Sequence, residues 1–307
     1  MVAKVESFVH VAEVWIPDGE LLRRHSGAYG GHRAFDEASA ELRFERGQGL
    51  PGEAWRALRP VVWQELDRRF TRHELAANAG LDAGLAFPVF RGEQLLGIVS
   101  LLCGSREHTG GCIEVWQPND LRELSLVDAY YGRLDSFAEI SRLVRFQRGR
   151  GLPGVAWERG LPHVMTDLAN SNSFIRASAA RAAGVHAGLA VPLYRGNDIT
   201  QLLVLLSAQE TPLARAFEVW TVSAEGPLSL SECFYADDVC RPGDLAQPPA
   251  SAPGQALAQQ VAGLRMPLAS GALETAGGAA SGASFQLGLG IPIFDGQALR
   301  AIVILLN

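Results

Sequence analysis

The chain has 307 residues, of which 48% are hydrophobic and 20% charged, enough apolar content to bury a core and to exclude a wholly disordered protein. Its 27 Lys+Arg against 33 Asp+Glu give a net charge of −6, so there is no broad positive field to hold nucleic acid or an anionic membrane. No run of 18 uncharged apolar residues occurs and the N-terminus lacks a signal-peptide stretch, which points to a cytoplasmic protein.

From the N-terminus, the segment around Trp15 is rich in Val and aromatic residues and is predicted as a strand. Pro17-Asp18-Gly19 supplies a turn, and residues 21–29 the returning strand. Residues 42–45 read as a short strand before a glycine-rich loop. Helices are predicted at 53–58 and 71–79, the second stopped by Gly80, and a hairpin at 85–90 and 95–102 turns around Arg91-Gly92-Glu93. Strands and helices do not alternate singly, so an antiparallel sheet with helices on one side is expected rather than a doubly wound parallel sheet.

The same elements then recur, and this internal repeat is the dominant feature. Glu13-Val14-Trp15 returns as Glu114-Val115-Trp116 and as Glu218-Val219-Trp220, with an aromatic residue fourteen positions beyond each tryptophan: Tyr29, Tyr130 and Phe234. The block from Arg46 to Trp55 matches Arg148 to Trp157 at eight of ten positions. Gly84-Leu85-Ala86-Phe87-Pro88 recurs from Gly188 and, as Gly-Leu-Gly-Ile-Pro, from Gly288; a glycine follows each proline by four residues (Gly92, Gly196, Gly296). In the second copy the later helix is expected over 173–183, capped by Ser173 and ended by Gly184. The repeat divides the chain into units 1–104, 111–208 and 214–307, with a flexible Pro/Gly/Ala/Ser-rich insertion expected at 241–283. The segment from residue 208 onward holds four basic and nine acidic residues and so accounts for five of the six net negative charges.

Four motifs, in this order, carry a family resemblance. They are the GxGLPGxAW loop, an acidic-Leu pair after it (Glu65-Leu66, Asp167-Leu168), a Phe-x-Arg helix start (Phe70-Thr71-Arg72, Phe174-Ile175-Arg176) and the GLxxP hairpin. Units 1 and 2 resemble the GAF domain family of small-molecule sensor modules; unit 3 matches at its first strands and last hairpin only. The resemblance implies an α+β fold of three GAF-like units, each an antiparallel sheet flanked by helices, with a ligand pocket between sheet and helices and a sensory or regulatory role. The helices that usually precede the first strand and follow the last are expected to be absent, because unit 1 reaches unit 2 through residues 104–111 and the chain stops at Asn307.

Within that frame the candidate ligand-binding residues are Trp157, His163, Asp167, Phe174, Arg176 and Val191 in unit 2, and Trp55, Trp63, Arg72 and Phe87 in unit 1, with Glu65 beside them: mostly apolar groups with a few polar ones, as pockets are built. Unit 3 is expected to bind nothing. The alternative is a ligand-free scaffold whose pockets are filled by side chains. The glycine loops match no nucleotide fingerprint and are expected to be tight turns. The histidines and the four cysteines (Cys103, Cys112, Cys233, Cys240) show no metal spacing or CxxC pair, so no catalytic or metal residues are expected. A reductase of free methionine sulfoxide, a reaction run by one branch of the family, is a further alternative that the scattered cysteines do not favour. The expected output comes from another polypeptide. Cofactor, ligand identity and oligomeric state are not specified.

Overall fold

The computed structural model describes residues 7–106, 110–222, 227–237, 239, 252–271 and 285–307. Unit 1 runs β1 (Val9–Asp18), β2 (Leu21–Ala28), α1 (Arg33–Ala40), β3 (Arg43–Phe44), α2 (Gly49–Ala57), β4 (Val61–Trp63), α3 (His73–Asn78), β5 (Leu81–Arg91) and β6 (Gln94–Gly104). Unit 2 repeats this order as β7 (Gly110–Pro118), β8 (Glu123–Gly132), α4 (Asp135–Leu143), β9 (Phe146–Gln147), α5 (Gly151–Arg159), β10 (His163–Met165), α6 (Ala177–Ala183), β11 (Val185–Arg195) and β12 (Asp198–Ala208). In unit 3 the described elements are β13 (Ala216–Thr221), β14 (Ser229–Tyr235), α7 (Gln255–Leu264), β15 (Leu268–Ser270), β16 (Gly288–Asp295) and β17 (Ala298–Leu306).

Each unit forms one antiparallel sheet, in the orders β3-β2-β1-β6-β5-β4, β10-β11-β12-β7-β8-β9 and β14-β13-β17-β16-β15. The α+β class and the antiparallel sheets are those the sequence predicts. Elements it misses are α1 and α4, which bury little beyond Phe35 and Ser39 or Phe137, Ala138 and Ser141, and the three-residue strands β4 and β10. Three expectations are corrected. First, α6 starts at Ala177, its N-cap Arg176 makes no side-chain cap bond, and Ser173 does not cap it; Gly184 does end it, at φ +67°. Second, residues 252–271, inside the span read as a flexible insertion, form α7 and β15, because Leu257, Ala258 and Val261 recur at helical spacing and are buried; residues 240–251 and 272–284 lie outside the described residues. Third, strand register makes Tyr29, Tyr131 and Tyr235 equivalent, since Glu13, Glu114 and Glu218 pair with Gly27, Ala129 and Cys233. The β1–β2 turn is one residue shorter than its counterparts, which shifts a fixed count from the tryptophan.

The sheets are buried on both faces. One face of each carries its own helices over an outer core: Trp15, Phe44, Trp55 and Phe70 in unit 1, Trp116, Phe146, Trp157 and Phe174 in unit 2, Trp220, Leu257 and Ile304 in unit 3. The other faces meet in a single cluster shared by all three units, including Val14, Phe87, Val115, Val191, Phe217, Val219, Ile291 and Val303. This explains why the β5–β6 hairpin and its repeats read as continuous apolar runs rather than alternating ones. It also gives the Glu-Val-Trp motif its meaning: Glu and Trp, two apart, share the helix-covered face, and the valine between them enters the common core.

The units are arranged cyclically. β4 packs against β8, β10 against β14, and β15 against β2. In each joint the central amide of the short strand donates to a side chain that sits opposite the motif valine in the next unit: Val62 N to Asp128 Oδ2 at 3.1 Å, Val164 N to Glu232 Oε2 at 2.6 Å and Ala269 N to Ser26 Oγ at 3.0 Å. The last hairpins of the three units meet tip to tip. Gly92 N donates to Gly296 O (2.6 Å), Gly296 N to Gly196 O (2.9 Å) and Gly196 N to Gly92 O (2.9 Å), closing a ring of three glycines. Their φ values of +58°, +62° and +59° belong to the region that L side chains rarely adopt, so the repeated glycine is required on backbone grounds.

The glycine loop is a tight turn at residues 148–150, but GLPG itself lies beyond it: α5 begins at Gly151 and α2 at Gly49, so the helix expected from residue 53 starts four residues earlier and includes the Leu-Pro-Gly stretch. Gly149 N bonds Gly154 O at 2.8 Å, and a Cβ on Gly154 would lie 2.2 Å from Gln147 O. Gly154→Ala must displace backbone, so a loss of about 1–3 kcal/mol is expected, read as a lowered urea midpoint with unchanged slope. A midpoint equal to wild type would show that the loop has slack the geometry does not have.

Candidate functional site

The space between sheet and helices is where a ligand pocket was expected, and in units 1 and 2 it is filled by the chain itself. In unit 2, Arg176 lies at the start of α6 and points under the helices onto β7. Its Nη1 and Nη2 both reach the Glu114 carboxylate, the second at 3.0 Å, and Nη1 also donates to Ser141 Oγ on α4 at 2.5 Å. Tyr131 OH donates to Glu114 at 3.0 Å and Trp116 Nε1 at 2.9 Å. The rings of Phe137, Phe174, Phe146 and Trp116 surround the guanidinium at 4.7–5.8 Å. Unit 1 repeats the arrangement: Arg72 to Glu13 at 2.5 and 3.0 Å, Arg72 to Ser39 Oγ, Tyr29 OH to Glu13 at 3.0 Å, and Phe35 and Phe70 over the guanidinium. Both ion pairs are fully desolvated, with side-chain exposures of 3% and 0% in unit 1 and 0% for both residues in unit 2.

Among the described residues, unit 3 has the acid but not this arginine. Glu218 accepts from Trp220 Nε1 (2.9 Å), Tyr235 OH (3.0 Å) and the Gly254 amide at the N-terminus of α7 (3.1 Å). The consequence is electrostatic. Burial opposes charge on Glu13, but the Arg72 guanidinium and the hydrogen bonds from Arg72, Tyr29 and Ser39 outweigh it, and the carboxyl sits below its ordinary value. At Glu218 burial wins over the three neutral donors and the carboxyl is raised. The helix N-terminus compensates only partly for a missing cation.

The candidate residues separate into four places. Trp157, Phe174 and Arg176 come together in the outer core of unit 2, and Trp55, Trp63 and Arg72 in that of unit 1. Phe87 and Val191 lie on the opposite face of their sheets, in the common core, because residues two apart from Leu85 and Leu189 share that side. His163 sits in the joint with unit 3, its Nδ1 3.0 Å from Glu232 Oε2. Asp167 is on an exposed turn at φ +53°, bonded to Asn170, and Glu65 is exposed. Sequence reasoning missed the acids, tyrosines and serines of the buried networks, although Glu13, Glu114 and Glu218 stand inside its strongest motif. A carboxylate repeated beside an indole in an apolar strand is the signal that was available.

Among the described residues, two small cavities lie between units. One of about 20 Å³ lies beneath the glycine ring, lined by Pro88, Pro192 and Pro292 among others. One of about 10 Å³ lies between units 1 and 3, by Val9, Leu101 and Leu287. Each has room for about one water molecule. Among the described residues no group of three or more His, Cys, Asp or Glu side chains is placed to hold a metal ion, and no helix is long and apolar enough to cross a membrane.

Residues 3–127 match the family model described as GAF domain. That stretch of the chain is similar to a GAF domain. The match takes in all the described elements of unit 1 and the first strand of unit 2, and the repeat extends the same GAF-like architecture through the chain. No curated protein matches the sequence. Among solved structures, the chain is similar to the GAF domain of Aquifex aeolicus Nlh2 in an inactive state (18% identity, TM-score 0.26, 32% of this chain and 57% of that one). It is also similar to free methionine-R-sulfoxide reductase from Neisseria meningitidis in complex with its substrate (20%, TM-score 0.25, 33% and 53%). A third is Staphylococcus aureus NreA mutated in its nitrate-binding site (19%, TM-score 0.27, 35% and 82%). The chain thus spans little more than half the length of the first two.

Proposed function

We propose that this protein is a non-enzymatic regulatory scaffold: a closed ring of three GAF-like units that acts by presenting its outer surfaces to a protein partner rather than by enclosing a small molecule. The observation that carries this is the Glu–Arg pair in units 1 and 2. Each pair stands in the space where the family resemblance implies a ligand and satisfies its carboxylate from within the chain. Opening that space would require extracting a guanidinium from its counter-ion in a water-free core, which costs several kcal/mol. A ligand would have to supply that in addition to its own binding energy.

The non-catalytic reading is supported by the buried thiols. Burial pushes the Cys103 thiol up, and burial together with the Glu114 charge pushes Cys112 up, so neither offers a ready thiolate. They also lie in different cores, Cys103 in the common one and Cys112 in that of unit 2.

A thermal-shift screen with nucleotides, amino acids, 2-oxo acids and tetrapyrroles tests the scaffold reading. A ligand of the native state at a hundred times its Kd adds about 2.7 kcal/mol of stability, so binding is easily seen. No compound is expected to raise the melting temperature. A compound that does, and that loses its effect in Arg176→Met, would instead make the protein a small-molecule sensor.

A further inference from the structure

The three joints of the ring occupy equivalent positions, yet their titratable groups are not shared out equally. Register places Asp82, His186 and Gln286 at one equivalent position, two residues before the glycines that pair with Leu102, Leu206 and Leu306. The residues equivalent to Phe234 are Ala28 and Tyr130, and those equivalent to Glu232 are Ser26 and Asp128. The joint between units 3 and 1 therefore has Gln286, Ala28 and Ser26 at these positions. The joint between units 1 and 2 has Asp82, Tyr130 and Asp128. His163 and His186 fall in the joint between units 2 and 3. His186 on β11 stacks edge-on against Phe234 on β14, with ring centroids 5.1 Å apart, and its buried Nδ1 has no hydrogen-bond partner. Within unit 2 the imidazole also faces the Ser207 backbone.

We propose that the joint between units 2 and 3 is a proton-responsive hinge, closed while His186 is neutral and loosened when His186 takes up a proton. An imidazolium would sit half-buried against an aromatic ring of the neighbouring unit with an unpartnered N–H. The charged and titratable groups facing the joint are Asp237 beyond β14 and, at the other end, Glu232 with His163 and Arg159. Asp167 and Glu210, near in the chain, are engaged by Asn170 and Arg133. Burial lowers His186 from its ordinary value, and Asp237 and the Ser207 backbone offset this only in part. The closed state therefore binds fewer protons than the open one, and the joint weakens as pH falls through the ordinary histidine range. Burial resists the Glu232 charge at the other end, but His163, the Val164 amide and Arg159 hold the carboxyl below its usual value, so this contact persists until the pH falls below the ordinary carboxylate range. Acid is thus expected to open the His186–Phe234 end about a pivot at Glu232. This goes beyond the scaffold reading and stands whether or not a unit binds a small molecule.

His186→Gln tests it, because unit 3 carries glutamine at this position. Melting temperatures of wild type and variant are compared at pH 7.5 and 5.5. The variant is expected to gain about 2 °C on wild type as the pH drops. Hydrogen exchange on the wild-type chain, corrected for intrinsic rate, is expected to lose protection at 185–187 and 233–235 at pH 5.5, while 81–83 and 129–131 keep it. Parallel pH profiles for the two proteins, or equal loss at every joint, would overturn the proposal. If the variant does not fold, the joint-by-joint exchange comparison on wild type decides alone.

Discussion

Arg176→Met is expected to cost about 3–5 kcal/mol of unfolding free energy at pH 7, the largest effect of any single change outside the common core. The methionine fills much of the volume, so the loss is not a cavity. It is the Glu114 carboxylate, 0% exposed, left in an apolar enclosure with only the hydroxyl of Tyr131 and the indole N–H of Trp116 as donors. Unit 3 shows what then follows: Glu218, held by a tyrosine, a tryptophan and one amide but no guanidinium, is raised above its ordinary value. Adding Glu114→Gln should restore part of the loss, because the charge is removed along with its partner. Urea denaturation of the wild type, both single variants and the double variant measures this coupling directly. A single-variant cost under about 1 kcal/mol would mean that the guanidinium is replaceable and that the filled space does not define the unit.

Phe87→Ala is expected to lose a further about 3–5 kcal/mol, through a cavity rather than a charge. Phe87 is 0% exposed and lies in the cluster shared by all three sheets. Were it a pocket residue, its truncation would alter binding and leave stability nearly intact. As a member of the common core it should lower the stability of the whole ring, and far-ultraviolet circular dichroism and tryptophan fluorescence should still report one coincident transition. Two separated transitions would show that the units fold independently and that the central cluster is only a contact between finished domains.

Much of the fold was legible in the residues. The repeat, the hairpins and their glycines, and the antiparallel class all follow from short-range pattern, because turn conformation and strand periodicity are set by neighbours in the chain. The short helices α1 and α4 escaped because eight or nine residues offer only two or three buried positions, and although Phe35 and Ser39, and Phe137 and Ser141, stand at helical spacing, so short a run cannot be told from a loop by residue type. The one-residue shift at Tyr29 escaped because a tight turn changes the count without changing the residue types.

The candidate site was legible as a set of residue types but not as a place. Arg72 and Arg176 stood among the candidate ligand contacts with Trp55, Trp157 and Phe174, and the fold gathers each set in one outer core, yet whether an arginine faces a ligand or an internal carboxylate depends on a residue some sixty positions earlier. Phe87 and Val191 could not be assigned a side from pattern, since a strand apolar on both faces gives the same sequence whichever core it enters.

By itself, then, the sequence determined that this protein is three related GAF-like units with closed turns and apolar sheets. Only the tertiary structure decided that the sheets turn their second faces to one another, that three glycines close the ring, and that Glu13 and Glu114 claim the arginines. The reason is physical. Turns and periodicity are local properties of the backbone, whereas the partner of a buried charge and the face a strand presents are settled by which distant segment reaches them first with the matching group.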